Sequence, residues 1–363
     1  MKKYFLGLLL FTCSIIHAQK ENLHAVDSIL ESYNGKDQLN AVVLIADHGK
    51  IKYEKAFGYR DYAKHILLQK SDIFELASVS KQFTAMIIMM LKEKGLLQYD
   101  DLVEKYLNIP YKGITIRNLL THTSGLPDYQ AIMDANWDKS KVANNEDILA
   151  YLNKYQPLKL FEPGAQYNYS NTGYVLLASI SEKASGKDFI DMCRENIFRP
   201  LKMKHTDIRT LAEKSAIKNF AIGHIYAENK KNHFIPADSF PSSNYTIWLG
   251  NRKGPGRISS TVEDLLKWDQ ALYTNKLISQ QTLEEAFTPM KLNDEKLSNY
   301  GFGWTIIPNG LPGKIVWHNG DNPGYKTMIM RVLEKRKTLI VLCNNATEKF
   351  DTICNKLLTQ ITQ

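Results

Sequence analysis

Ser78-Val79-Ser80-Lys81 places a hydroxyl and an amine three positions apart. On a helix that spacing puts both side chains on one face, within reach of each other. At a helix's first turn the unpaired backbone N–H groups and the positive dipole end favour developing negative charge. The chemistry on offer is a serine nucleophile with a cationic helper. The tetrad occurs a second time, at Ser215-Ala216-Ile217-Lys218, so composition alone does not choose between the two. A serine that attacks an acyl group also needs a base and N–H donors for the tetrahedral oxyanion. No G-x-S-x-G marks a nucleophile elbow. Ser–Lys arrangements are a recurrent alternative to Ser–His–Asp.

A third proton-handling group is then expected, and Tyr169-Ser170-Asn171 supplies a candidate. The Y-x-N pattern also occurs at Tyr106, Tyr151 and Tyr273, where the surroundings carry helical periodicity. Only Tyr169 falls in an irregular stretch, between Pro163-Gly164 and a helix expected to start near Asn171. A cationic residue two before a glycine is scarcer, at Arg252-Lys253-Gly254 and His318-Asn319-Gly320. The second follows Ile315-Val316-Trp317, which reads as a strand. Gly320 there would let a substrate approach the strand backbone closely.

These residues must be held by the elements around them. Phe83, Met86, Ile87, Met90 and Leu91 make one helical stripe after Ser78, and Ala85, Ile88 and Met89 fill the other sides. A helix apolar nearly all round is buried. Ser78 and Lys81 therefore sit where a loop enters the core. Leu23, Val26, Ile29, Leu30 and Tyr33 predict an amphipathic helix, and Phe350, Ile353, Leu357, Leu358 and Ile361 another. Ala41–Ala46 followed by alternating Ile51, Tyr53 and Phe57 predicts a hairpin with one fully buried strand. Thr327–Leu333 and Thr338–Cys343 predict a second hairpin, and Phe302, Trp304 and Ile306 alternate as a strand would. Residues 96–215 read as mostly helical. The expected fold is α+β: an antiparallel sheet built from both termini, flanked by helices, with an inserted helical subdomain. On this reading residues 19–363 form a single catalytic domain. Its α/β part is about 19–95 and 219–363, and its helical part about 96–218.

The chain has 363 residues, 44% hydrophobic and 23% charged, and a formal net charge of +8. That is ordinary globular composition. Lys2 and Lys3, the apolar run Tyr4–Ile16 and the small Ala18 read as a cleaved secretory signal over residues 1–18, and so a secreted or periplasmic protein. After Ala18 the longest apolar run is Ala85–Leu91, far short of a bilayer span. No stripe of Lys and Arg interleaved with aromatics suggests nucleic acid. The basic clusters Arg252-Lys253 and Lys335-Arg336-Lys337 read as a loop and a solvated hairpin tip. Cleavage leaves Cys193, Cys343 and Cys354, an odd number that is no disulfide framework, and each is expected to be buried and structural. With no C-x-x-C and no H-E-x-x-H, no metal or other cofactor is expected.

Taken in order, the three motifs Ser78-Val79-Ser80-Lys81, Tyr169-Ser170-Asn171 and His318-Asn319-Gly320 resemble those of the serine β-lactamase and penicillin-binding-protein superfamily. The similarity is to the branch of class C β-lactamases, DD-carboxypeptidases and related esterases. Further stretches of the same character are Leu119–Pro127, Phe161–Gly164, Ile258–Thr261 with Asp264-Leu265, Tyr300–Trp304 and Pro323–Tyr325. The resemblance covers roughly residues 25 to 345.

The resemblance implies that Ser78 is acylated and that Lys81 and Tyr169 share its proton. Asn171 would orient a substrate amide or carbonyl, and the Ser78 and Asp321 backbone N–H groups would form the oxyanion hole. Ionising an unperturbed tyrosine at pH 7 costs roughly 4 kcal/mol. A nearby lysine ammonium is expected to offset part of that. His122 lies in a family-like stretch without a paired carboxylate and is read as structural. His318 stands where many β-lactamases carry lysine. If it acts as a cation toward a substrate carboxylate, binding should weaken between about pH 6 and 8. The expected substrates are D-Ala-D-Ala-type peptides, β-lactams or small esters. A receptor or scaffold that acylates without turnover is the alternative.

Overall fold

Six antiparallel strands form the central sheet: β1 (Ala41–Asp47), β2 (Lys50–Phe57), β3 (Thr305–Gly310), β4 (Gly313–Asn322), β5 (Tyr325–Val332) and β6 (Lys337–Cys343). Their order is β3-β4-β5-β6-β1-β2, so the early hairpin joins the late strands through the β1–β6 pair. The computed structural model describes residues 23–34, 39–226, 234–240, 244–310 and 313–362. The predicted leader, residues 1–18, lies outside them.

Side chains alternate across a strand, and that period divides the interior into two. Val43, Leu339 and Val341 face helix α1 (residues 23–34) and the C-terminal helix, packing with Val26, Leu30, Phe350, Ile353 and Leu357. Val42, Leu44, Ile340 and Leu342 face the other way, into a larger core. That core contains α2 (Lys81–Glu93), whose residues from Lys81 to Leu91 are all buried. Phe83 sits at its centre, 4.4 Å from the Trp268 ring and 5.7 Å from Phe198.

Between β2 and β3 the chain is largely helical at first. It runs through α3 (Ile116–Leu120), α4 (Tyr129–Asn136), α5 (Asn145–Tyr155) and α6 (Asn171–Ser185), with α7 (Val262–Ala271) returning beneath the sheet. Four of these five starts are written in the sequence: Thr115, Asp128, Asn144 and Thr261 cap α3, α4, α5 and α7 with a side-chain oxygen, while Ser170 before α6 makes no side-chain cap. The C-terminal helix, α8, spans Phe350–Thr362. Cys193, Cys343 and Cys354 are buried free thiols. Among the described residues no helix is long and apolar enough to cross a membrane.

Two expected strand details change. Ile51 is 45% exposed, because a register shift between Ile45 and Ala46 breaks the simple alternation of the hairpin. Phe302 and Trp304 are buried but precede the strand, which begins at Thr305 after a turn through Gly303 at φ 77°.

Candidate active site

Ser78 follows a residue in an uncommon backbone state. Ala77 has φ 47°, in the left-handed region, and a single 3-10 turn (Ala77–Ser80) then leads into α2. Such a conformation in a non-glycine residue costs on the order of 1–3 kcal/mol and persists only where the surroundings hold it. Here they do. Thr327 Oγ1 donates to the Leu76 carbonyl at 2.7 Å, the Leu76 N–H to the Ile258 carbonyl at 2.8 Å, and the Ile258 N–H to Ser80 Oγ at 3.2 Å. The half-buried Ser78 is thus presented on a clamped corner.

Lys81 is 0% exposed. Its Nζ lies 3.0 Å from Ser78 Oγ, 2.9 Å from Asn171 Oδ1 and 2.9 Å from the Pro255 carbonyl. Burial holds its pKa well below the ordinary 10.5, the nearby Arg252 pushes the same way, and Asp128 opposes both. The Asn171 and Pro255 acceptors fix the amine against the Ser78 hydroxyl, and burial disfavours its ammonium form.

Tyr169 sits beside this pair, with Lys81 Nζ 4.8 Å from its ring centroid. Burial raises its pKa well above 10, and a hydrogen bond with Ser78 only partly opposes that. The expectation that lysine would favour a phenolate is reversed: a low-dielectric surround disfavours both the phenolate and the ammonium. His122 packs its ring 4.2 Å from that of Tyr169, and its Nδ1 accepts from the Ser170 N–H at 3.1 Å. Burial keeps it neutral. It fixes the Tyr169 loop and touches no carboxylate.

The third motif differs most from its sequence reading. His318 is buried, its Nδ1 donates to the Asn319 carbonyl at 2.5 Å, and its Nε2 accepts from the Tyr300 hydroxyl at 2.7 Å. The carbonyl can only accept, so the hydrogen is on Nδ1. Burial, with Lys81 nearby, pushes its pKa down to about 3. It is therefore no cation between pH 6 and 8, and its titration cannot weaken carboxylate binding over that range. Gly320 is also needed for another reason than substrate approach. A Cβ there would lie 2.2 Å from the Leu76 carbonyl oxygen and 2.3 Å from Thr327 Oγ1, so the glycine admits the nucleophile turn itself. Asp321 is exposed and pairs with Lys326 at 3.2 Å. β3 pairs with β4 only as far as Trp317, so from His318 onward that edge of β4 is free of a sheet partner on the β3 side.

The Asn171 carboxamide is engaged at both ends, by Lys81 and by Asp128 Oδ2 at 3.1 Å, and its first observable task is to position the amine. Sequence reading missed Asp128 and Arg252. Asp128 caps α4, a signal present in Pro127-Asp128-Tyr129, but nothing in the sequence ties that cap to Lys81. Arg252 was read as part of a solvated loop. It is buried, stacks at 5.9 Å on Tyr245, and adds to the field on Lys81. Lys253 beside it is held by Asp188 at 2.9 Å and by Glu182. The second Ser–Lys tetrad lies elsewhere: Ser215 Oγ donates to the Ala212 carbonyl at 2.8 Å and Lys218 is exposed.

A buried amine on a serine, a tyrosine above it and a strand edge opposite are the parts of a serine acyl-transfer site. The description "Beta-lactamase" matches residues 26–363, and the chain belongs to that family. It is 42% identical over 322 residues to penicillin-binding protein 4* of Bacillus subtilis, covering 88% of this chain and 71% of that one. The octameric penicillin-binding protein homologue from Pyrococcus abyssi superposes with a TM-score of 0.80 at 28% identity, covering 93% of this chain and 77% of the other. The D-amino acid amidase from Ochrobactrum anthropi SV3 shares the fold, with a TM-score of 0.77 at 23% identity over 94% and 98% of the two chains.

Proposed function

We propose that this protein is a secreted or periplasmic serine hydrolase that works through an acyl-enzyme on D-Ala-D-Ala-type peptides, β-lactams or small esters. The observation that carries the reading is Lys81 Nζ at 3.0 Å from Ser78 Oγ, buried and fixed by Asn171 and Pro255. Ser78 Oγ attacks the acyl carbon while its proton passes to the neutral Lys81. The oxyanion is met by the Ser78 and Asp321 N–H groups. Collapse breaks the acyl–leaving-group bond, and the leaving group takes a proton through Lys81 or Tyr169. Water then attacks the ester, and the proton route runs in reverse to free Ser78. Similarity to penicillin-binding proteins also supports a second reading, a receptor that acylates and then stalls.

The catalytic domain is taken as residues 19–363, its helical part about 96–218, with the leader removed after Ala18. A hydrolysis panel tests the activity: a chromogenic cephalosporin, a D-Ala-D-Ala peptide and a short-chain aryl ester. Turnover of at least one, lost in Ser78→Ala, supports the proposal; no turnover of any of them removes it. Mass spectrometry over time with a β-lactam separates the two readings. A transient adduct is expected of the enzyme and a permanent one of the receptor.

A further inference from the structure

Away from Ser78, a cavity of about 470 Å³ opens between the turn Arg60–Ile66, the short helix Leu211–Ser215, the segment Pro236–Asp238 and the start of β5. Its interior holds Lys214, 7% exposed, and Arg257, 1% exposed. Both face the same carboxylate. Glu75 pairs with Lys214 and lies 3.6 Å from Arg257, and its other oxygen accepts from Asn322 Nδ2 at 3.2 Å. The rim charges balance among themselves: Arg60 with Asp72 at 3.0 Å and Lys64 with Asp61 at 3.2 Å. Asp238 is exposed, takes a hydrogen bond from Thr246 at 2.9 Å, and its negative charge acts on both Lys214 and Arg257. The buried Arg252 adds its positive charge to Lys214 and Arg257, so three cations meet two anions, Glu75 and Asp238.

A buried charge without a counter-charge is costly, and proteins leave few of them. The donors are also under-used. Lys214 Nζ has no hydrogen-bond acceptor beyond its ion pair, and Arg257 Nε has none. The other Arg257 nitrogens reach the Thr246 and Arg209 carbonyls only at 3.3 Å. The backbone gives an independent sign. Arg257 has φ 82°, a conformation glycine adopts freely and an arginine adopts only under strain. The guanidinium is held in the cavity in spite of its backbone. Burial and like charge act together here: Arg257 adds to the depression of Lys214, and Arg257 itself is lowered to about 10. The rest of the wall is apolar, with Ile217, Phe220, Ile222 and Tyr325 facing the space.

We propose that this cavity binds a small organic anion, its charged head between Lys214 and Arg257 and its apolar body against Phe220, Ile222 and Tyr325. The volume fits a drug-sized fragment rather than a bare ion. Glu75 connects the site to the acylation centre at both ends. It precedes Ser78 by three positions, and its partner Asn322 ends the strand that carries His318.

The test is calorimetric titration of the full chain with 4-phenylbutyrate and with its neutral amide. The carboxylate is expected to bind saturably, and the amide at least tenfold more weakly. Arg257→Gly suits the local φ and should keep the fold, and Lys214→Met keeps the stem's packing. Each should weaken the carboxylate at least tenfold and leave the amide unchanged. Equal binding of acid and amide, no saturable binding of the acid, or full binding by both variants would overturn the proposal. The titration needs no turnover, so its failure is distinguishable from failure of the Ser78 assignment. Where an ester is hydrolysed, competitive inhibition by phenylbutyrate would identify the anion as the acyl side of the substrate itself. A change in kcat at constant KM would identify a separate ligand.

Discussion

His318 offers the sharpest quantitative consequence. Its pKa of about 3 leaves roughly 0.1% of the ring protonated at pH 6, and charging it there costs on the order of 4 kcal/mol. Both ring nitrogens are already used, by Tyr300 and by the Asn319 carbonyl. The experiment measures kcat/KM from pH 5.5 to 8.5 for two aryl esters, one with a carboxylate and one without. Any common base, Lys81 included, cancels in the ratio of the two profiles. The ratio should stay within about twofold from pH 6 to pH 8. A solvent-exposed histidine titrating near 6.5 and holding the carboxylate would instead drop the ratio roughly 25-fold over the same range. Such a fall, absent in His318→Asn, would refute the neutral, buried assignment.

Other consequences follow from the same geometry. His122, His224 and His318 all have folded pKa values below the unfolded one, so their stabilisation is present above about pH 6.5 and is lost as pH falls toward the folded values. Denaturant titrations should show stability falling below pH 6, and His318→Gln should lower the slope by about 1.4 kcal/mol per pH unit. Tyr169→Phe should cut kcat about 10²- to 10⁴-fold, as loss of a proton-transfer group does, with the circular-dichroism melting curve nearly unchanged. Gly320→Ala puts a methyl 2.2 Å from the Leu76 carbonyl oxygen, so Ser78 labelling should slow more than tenfold in a protein that still folds. Phe83→Ala should cost about 3–5 kcal/mol in equilibrium unfolding, since its ring fills the space between Trp268 and Phe198.

Periodicity made much of this architecture legible. The burial of α2, the β5–β6 hairpin and the terminal helices all follow from residues whose spacing matches one face of an element. Ile51 and the Phe302–Trp304 stretch escaped because a register shift and a turn at Gly303 are not periodic signals. At the site, spacing found Ser78 and Lys81 because three residues on a helix fix a contact. It could not find Asp128, Pro255 or Arg252, which reach Lys81 across more than forty residues of chain. Nor could it place His318 inside rather than at the surface. A lone histidine after three apolar residues reads the same in both cases, and only Tyr300 closing over it decides its charge. Gly320 was singled out for the right property, a missing Cβ, but the neighbour that needs the space is Leu76.

The proposed function rests on acylation of Ser78. Intact-mass and peptide-mapping measurements with a fluorophosphonate probe test it most directly. A single adduct is expected, mapped to the Ser78 peptide, that vanishes in Ser78→Ala and is strongly slowed in Lys81→Met. An adduct of equal yield in Ser78→Ala, or one mapped to Ser215, would contradict it.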